Sequence, residues 1–176
     1  MCNKKNKIAF VCSTYVQIMR MFQIKKEIPE FYGKADLYLV HDMFNNMKFI
    51  RRLENTNEFD NVFYFNVNEY KSIKVLHYIY GKKYRDIFKK NIYDKVISFN
   101  IEEVISQVLF NLNKSQENFE FHCVEDGPGG YEVYKPEQYK WSHIYRWLGI
   151  EKQYYNIKTW WTGCPEYMKF PNDCSV

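Results

Sequence analysis

Short apolar runs alternate with amphipathic stretches from Lys7 to Val124, and this alternation constrains the fold more than any other feature of the sequence. The apolar runs are rich in branched and aromatic residues, which is typical of strands buried on both faces. The stretches between them repeat apolar residues at the spacing of a helix. Strands that alternate with helices predict a parallel sheet with right-handed crossovers.

The predicted elements cover most of this part of the chain. The runs predicted as strands are Lys7–Ser13, Ala35–Val40, Asn61–Asn66, Asp94–Phe99 and Phe119–Val124. The stretches predicted as helices are Tyr15–Ile28, Phe44–Leu53, Asn68–Phe88 and Ile101–Leu112. We therefore expect an α/β fold, with a Rossmann-like parallel sheet of about five strands and flanking helices.

The pattern changes after Gly130, where Pro136–Leu148 is predicted to be helical and the remainder is aromatic and rich in turn residues. A chain of 176 residues is long enough for one domain with an appendage. We assign residues 1–134 to the Rossmann-like domain. Residues 135–176 are expected to form a helical, aromatic-rich appendage that packs on this domain or leads to a second one.

The composition of the chain limits which kinds of partner it can bind. Hydrophobic residues make up 46% of the chain and aromatic residues 19%, which argues against disorder. The net charge of +4 is scattered rather than arranged in a stripe, so nucleic acid is disfavoured as a partner. A mildly basic surface suits an anionic sugar polymer, an anionic sugar nucleotide or the cytoplasmic leaflet of a membrane.

The cysteines favour a reducing compartment, because their number is odd and no Cys-x-x-Cys pair occurs. They are Cys2, Cys12, Cys123, Cys164 and Cys174. The apolar run Ile8–Cys12 is too short for a signal peptide core, and no run reaches transmembrane length. We expect a cytoplasmic protein, with peripheral association at the inner membrane face as an option.

Two carboxylates follow the last predicted strand. Glu125 and Asp126 come directly after Val124 and before a Gly-Pro-Gly-Gly turn, which must end the strand. Ligands of open α/β sheets bind beyond the carboxyl ends of the strands, so this pair is placed for chemistry. An acid beside an aromatic wall and a second acid can act as a general base. We favour Asp126 as the base, with Glu125 as its neighbour or substitute; the alternative is that both only brace the turn.

Other polar residues follow the earlier predicted strands. Ser13 and Thr14 can hydrogen-bond a substrate at a helix N-terminus or can simply cap that helix. His41 follows the second strand and can line the cleft or lie on a loop surface. No glycine-rich phosphate loop, no histidine or cysteine pair at metal-ligand spacing and no Asp-x-Asp pair occurs, so we expect metal-free chemistry without a cofactor.

The tripeptide Glu125-Asp126-Gly127, followed by Gly130 and Tyr131, resembles the Asp/Glu-Asp-Gly motif of bacterial sialyltransferases. The families concerned are the lipooligosaccharide type (glycosyltransferase family 52) and the capsular polysialyltransferase type. The opening K-I-A-F-V-C-S-T-Y-V-Q-I-M-R is similar to their first strand and Gln-containing helix. The resemblance covers the chain from about Ile8 to Tyr134.

The resemblance implies the N-terminal domain of a GT-B glycosyltransferase acting in capsule or lipooligosaccharide synthesis. It implies inverting, metal-independent transfer of sialic acid from CMP-sialic acid to a glycan acceptor, with Asp126 as the base. Glu125 completes the catalytic motif, and Gly127, Ser13, Thr14, His41 and Tyr131 are the expected substrate-binding residues. The alternatives are a non-catalytic α/β ligand-binding or regulatory domain, and a metal-free transferase for another activated sugar.

One element of the family is missing from the sequence. The family holds CMP through a His-Pro pair and a Ser/Thr-rich motif in its second domain, and this chain contains no His-Pro. We therefore expect the chain to lack the donor-binding domain and, by itself, to catalyse transfer inefficiently.

Overall fold

The computed structural model describes residues 7–40, 46–65, 84–100, 103–124 and, for the backbone alone, 157–161. The strands are β1 (Ile8–Cys12), β2 (Ala35–Leu39), β3 (Phe59–Tyr64), β4 (Lys95–Ser98), β5 (Glu120–Val124) and β6 (Ile157–Trp161). The helices are α1 (Tyr15–Glu27), α2 (Met47–Glu54), α3, described at 84–88, and α4 (Val104–Asn113). A short 3₁₀ turn, Pro29–Phe31, follows α1.

The strands form one parallel sheet in the order β3-β2-β1-β4-β5-β6. The predicted Rossmann-like parallel sheet with flanking helices is confirmed. The sequence pattern predicted five strands, and the structure adds β6 beside β5, with Val124 opposite Trp161. This sixth strand lies within residues 135–176, so that segment contributes to the sheet itself.

Two apolar layers cover the two faces of the sheet. Alternate side chains of each strand point to opposite faces, and Phe10 and Leu37 pack with Met21 of α1 and Ile50 of α2. The neighbouring positions face the other way, and their layer includes Tyr38, Phe88 and Leu109. Helices α1 and α2 thus share one face, and α3 and α4 share the other. This doubly wound arrangement determines where the beginnings of helices from the two faces come together at the edge of the sheet.

The helix boundaries have local causes. The hydroxyl Oγ1 of Thr14 accepts a hydrogen bond from the backbone N of Gln17 at 3.2 Å and caps α1. Pro29 holds the preceding residue, Ile28, in an extended conformation, and α1 ends before it. Asn46 caps α2 through bonds from the backbone N of Lys48 and Phe49, at 3.1 and 3.3 Å.

Some boundaries differ from those predicted. Strand β3 begins at Phe59, two residues earlier than expected, because Phe59 pairs with Ala35 and the register shifts before Asn61. Helix α2 begins only after its cap at Asn46, whereas the periodicity predicted a start at Phe44. Of the predicted helix Asn68–Phe88, residues 84–88 are helical and the others lie outside the described residues, as does the predicted helix Pro136–Leu148.

Candidate functional site

The strand order creates a switch point between β1 and β4. These two strands pair side by side, with Val11 opposite Ser98. After β1 the chain passes to the face covered by α1, and α4, which follows β4, covers the opposite face. In open sheets of this order, connections that diverge in this way leave a crevice at the carboxyl edge, and ligands bind there. The beginnings of α1 and α4 border this crevice and bring the positive ends of their dipoles to it.

The turn after β1 is held by its own hydrogen bonds. Ser13 is buried, and its backbone N donates to Oε1 of Gln17. Thr14 is half-buried and caps α1 through Oγ1. Both residues therefore lie at the predicted edge of the sheet, and capping accounts for the acceptor role of Thr14. Its hydroxyl O–H can still donate a hydrogen bond to a ligand.

The turn after β4 supplies polar groups that the sequence pattern did not single out. The hydroxyls of Ser98 and Ser106 lie 2.7 Å apart, and Oγ of Ser98 accepts from the backbone N of Asn100 at 3.1 Å. Glu103, only 6% exposed, precedes α4 and donates its backbone N–H to the carbonyl of Asn100 at 3.2 Å. These bonds fix the shape of the turn at the carboxyl end of β4. A polar residue ending a buried strand was the available signal.

Strand β5 brings the predicted acids to the same edge of the sheet. Cys123 pairs with Ser98, and β5 ends one residue later at Val124. Because neighbouring strands lie roughly 5 Å apart, the end of β5 is about 10 Å from the end of β1. Glu125 is the next residue along the chain.

The other predicted site residues have no described position. Asp126, Glu125, Gly127, His41 and Tyr131 lie outside the described residues. Val40, the residue before His41, is buried and donates its backbone N–H to the carbonyl of Cys12 at 2.9 Å. The chain thus leaves β2 beside the end of β1, and His41 follows from there.

A partly buried ionic cluster lies at the opposite, amino end of the sheet. Nζ of Lys95 is 2.8 Å from Oε2 of Glu30 and 2.7 Å from Oε2 of Glu120. Nε2 of His122 is 3.3 Å from the same Glu120 oxygen, and its ring meets Phe31 edge-on. Burial lowers the pKa of His122, and the Glu120 carboxylate opposes this only in part. Burial alone would raise the pKa of Glu120, but the hydrogen bond and charge of Lys95 lower it.

A second polar network lies under the opposite face, near the start of β2. The hydroxyl of Tyr93 donates to Oδ2 of Asp36 at 2.6 Å and is 2.6 Å from the hydroxyl of Tyr38. The amide of Asn61 donates to Oδ1 of Asp36 at 2.8 Å. Burial raises the pKa of Tyr38 to about 12 and also raises the pKa of Tyr93. Both networks tie elements together away from the crevice.

Neither a metal-binding cluster nor a membrane-spanning helix occurs in the ranges that the structure describes. In those ranges no group of three or more His, Cys, Asp or Glu side chains could hold a metal ion. None of the helices in the same ranges is both long and apolar enough to span a membrane.

Comparison with known proteins adds no family assignment. No protein-family model matches the chain, and a search of the curated proteins finds no match.

Proposed function

We propose that this chain is the acceptor-binding, general-base domain of an inverting, metal-independent, sialyltransferase-like glycosyltransferase in capsule or lipooligosaccharide synthesis. One observation supports this above all: β5 ends at Val124 on the carboxyl edge of the parallel sheet, directly before Glu125-Asp126-Gly127. In sheets of this type, the residues that contact ligands lie in the chain beyond that edge. A carboxylate two residues after β5 belongs to that part of the chain.

In the proposed reaction Asp126 accepts the proton of an acceptor hydroxyl while that oxygen bonds to the anomeric carbon of sialic acid. The bond from this carbon to the phosphate oxygen breaks, CMP leaves with the electron pair, and the configuration inverts. Glu125 is assigned as the neighbouring acid of this base, because a second carboxylate close by is one way in which proteins adapt an acid to general-base catalysis. The carboxylate supplies the base, so the roles assigned here need no protein-bound metal.

The acceptor is assigned to the crevice between the ends of β1 and β5. Ser98, Asn100 and Glu103 form the turn that borders it, and their hydrogen bonds hold this wall of the crevice in shape. Ser13, Thr14, His41, Gly127 and Tyr131 are proposed as further contacts. Among the described residues, Cys12 and Cys123 are buried and form no disulfide, which supports the proposal of a reducing compartment, the cytoplasm.

Substitution of the proposed base tests the mechanism. In a preparation that transfers sialic acid from CMP-sialic acid to a lactose-type glycan, we expect Asp126→Asn to lower kcat by about two to four orders of magnitude. Glu125→Gln should have a smaller effect, because it changes the neighbour of the base. Glu117→Gln removes an exposed carboxylate before β5, at the opposite end of the sheet, and should leave kcat unchanged. Release of CMP is the measurement, and wild-type kcat in Asp126→Asn contradicts the assignment.

Ligand binding is tested separately from turnover. The chain is heated with CMP, CMP-sialic acid, UDP-sugars or a lactose-type glycan, and the shift in Tm is recorded. A ligand at a hundredfold excess over its Kd stabilises the folded protein by about 2.7 kcal/mol. A response to the acceptor glycan supports the proposal even where the isolated chain does not turn over. A response to UDP-sugars alone indicates another donor, and no response to any sugar favours a non-catalytic domain.

A further inference from the structure

Four apolar side chains are exposed near the beginnings of α1 and α2. The exposed fraction is 72% for Met19, 59% for Met47, 56% for Val16 and 41% for Tyr15. Met19 lies four residues after Tyr15 and three after Val16, so its side chain is on the same side of α1 as theirs. Tyr15 meets Phe49 of α2 edge-on, with ring centroids 4.9 Å apart, so the two helices touch at this point. Exposed apolar residues that cluster in this way mark interaction surfaces, unlike scattered ones.

Cations accompany these apolar side chains on α2. Lys48, Arg51 and Arg52 are exposed, and among the described residues they form no ion pair. Neither helix has an acidic residue in its first turn. The acidic residues Glu27 and Glu54 end the two helices, and Glu54 shares the last turn of the short helix α2 with Arg51 and Arg52, so the cations of that turn outnumber the acid by two to one. We call Tyr15, Val16, Met19, Met47, Lys48, Arg51 and Arg52 the α1–α2 surface.

The chemistry of the α1–α2 surface fits the interface of a lipid bilayer. Apolar side chains on such surfaces enter the boundary between headgroups and acyl chains, while cations remain at the anionic headgroups. Methionine adapts its shape to an irregular environment, and the long stems of Arg51 and Arg52 let their charges reach the headgroups from a range of depths. The positive charge of Lys48, Arg51 and Arg52, which forms no ion pair within the described ranges, is complementary to an anionic membrane.

We propose that the α1–α2 surface binds bilayers that contain anionic lipids. Helices α1 and α2 follow β1 and β2, so both begin at the carboxyl edge of the sheet. Docking through their beginnings places that edge beside the membrane. The proposal does not depend on the transferase activity, because binding to vesicles is measured without any sugar substrate.

The test is flotation of the chain with two kinds of vesicle, phosphatidylcholine alone and an equimolar mixture of phosphatidylcholine and phosphatidylglycerol. We expect binding to the mixed vesicles and its loss at high salt. The double variant Arg51→Gln/Arg52→Gln should weaken binding about thirtyfold, since each cation near the surface contributes about fivefold. Met19→Ser/Met47→Ser should weaken it about tenfold, because less apolar surface leaves water.

Matched controls come from the opposite face of the sheet. Ile87 and Ile92 are 51% and 45% exposed, and Lys89 and Lys90 lie between them. The double variants Ile87→Ser/Ile92→Ser and Lys89→Gln/Lys90→Gln should bind like the wild type. All changed side chains are exposed, and an unchanged Tm checks that each variant is folded.

Three outcomes overturn the proposal. One is no binding to the mixed vesicles, and another is an equal loss in the control variants, which indicates non-specific attraction. In the third, the chain binds immobilised polyglutamate as strongly as it binds vesicles, and Met19→Ser/Met47→Ser does not weaken that binding. This result indicates an acidic protein partner.

Discussion

Single side chains with several partners hold the interior of this protein together. The hydroxyl of Tyr93 donates to Asp36 and lies beside the hydroxyl of Tyr38, and Asp36 is only 2% exposed. A buried carboxylate is costly unless its oxygens accept hydrogen bonds. Because burial raises the pKa of both phenols, Tyr38 and Tyr93 remain protonated and available as donors at neutral pH.

Removing the Tyr93 hydroxyl should therefore destabilise the fold. We expect Tyr93→Phe to lower the free energy of unfolding by about 1–3 kcal/mol, because Asp36 loses a donor without gaining water. Tyr32→Phe is the control: its exposed hydroxyl bonds to the carbonyl of Lys26, and its loss should change stability by less than about 0.5 kcal/mol. Urea denaturation measures both, and equal effects would contradict the role given to Tyr93.

At the scale of elements, capping sets where α1 begins and holds the turn at the crevice. We expect Thr14→Ala to lower the free energy of unfolding by about 1 kcal/mol, because the backbone N of Gln17 loses its acceptor. Thr14→Ser keeps the oxygen and should retain most of the stability. Thermal denaturation of the two variants checks this. A Thr14→Ser variant as unstable as Thr14→Ala would show that the methyl group, not the cap, matters.

The elements differ in how far the sequence could predict them. Strands β1, β2 and β4 are buried along their whole length, so their largely apolar sequences predicted them as strands. Strand β6, Ile157–Trp161, mixes Lys and Thr with aromatic residues in a stretch rich in turn residues, and its pairing with β5 depends on tertiary contacts. The start of β3 depends on its register with β2, which no local pattern fixes.

The candidate site was predictable only in part. The rule that ligands bind at the carboxyl ends of parallel strands identified Ser13 and Thr14 from their position after β1. It did not identify Asn100 or Glu103, because the alternation of elements does not fix strand order, and only that order brings β4 next to β1. The role of Asp126 remains a prediction.

For the whole molecule, the cluster around Lys95 makes stability depend on pH. Burial lowers the pKa of His122 below its ordinary 6.5, so the unfolded chain binds more protons just below that pH. The contribution of neutral His122 to the free energy of unfolding is complete above pH 6.5, and it is lost as the pH falls towards the native pKa of His122. Glu120 acts in a second window: its pKa is lowered from 4.5, so its contribution is present above that value and lost below it.

We therefore expect the free energy of unfolding to fall as the pH is lowered from 6.5, and His122→Gln to flatten this decline. The further fall below pH 4.5, which belongs to Glu120, should persist in the variant. Urea denaturation at a series of pH values measures both windows. The same slope in wild type and variant between these limits would contradict the assignment to His122.

The pairing of β1 with β4 has a consequence for assembly. Strands β1 to β3 form one half of the sheet and β4 to β6 the other, and within the sheet the halves meet along the seam between β1 and β4. The crevice has one wall from each half, so it comes into being only when the halves dock. Any ligand held there bridges the seam, and its binding energy resists separation of the halves as well as dissociation of the ligand.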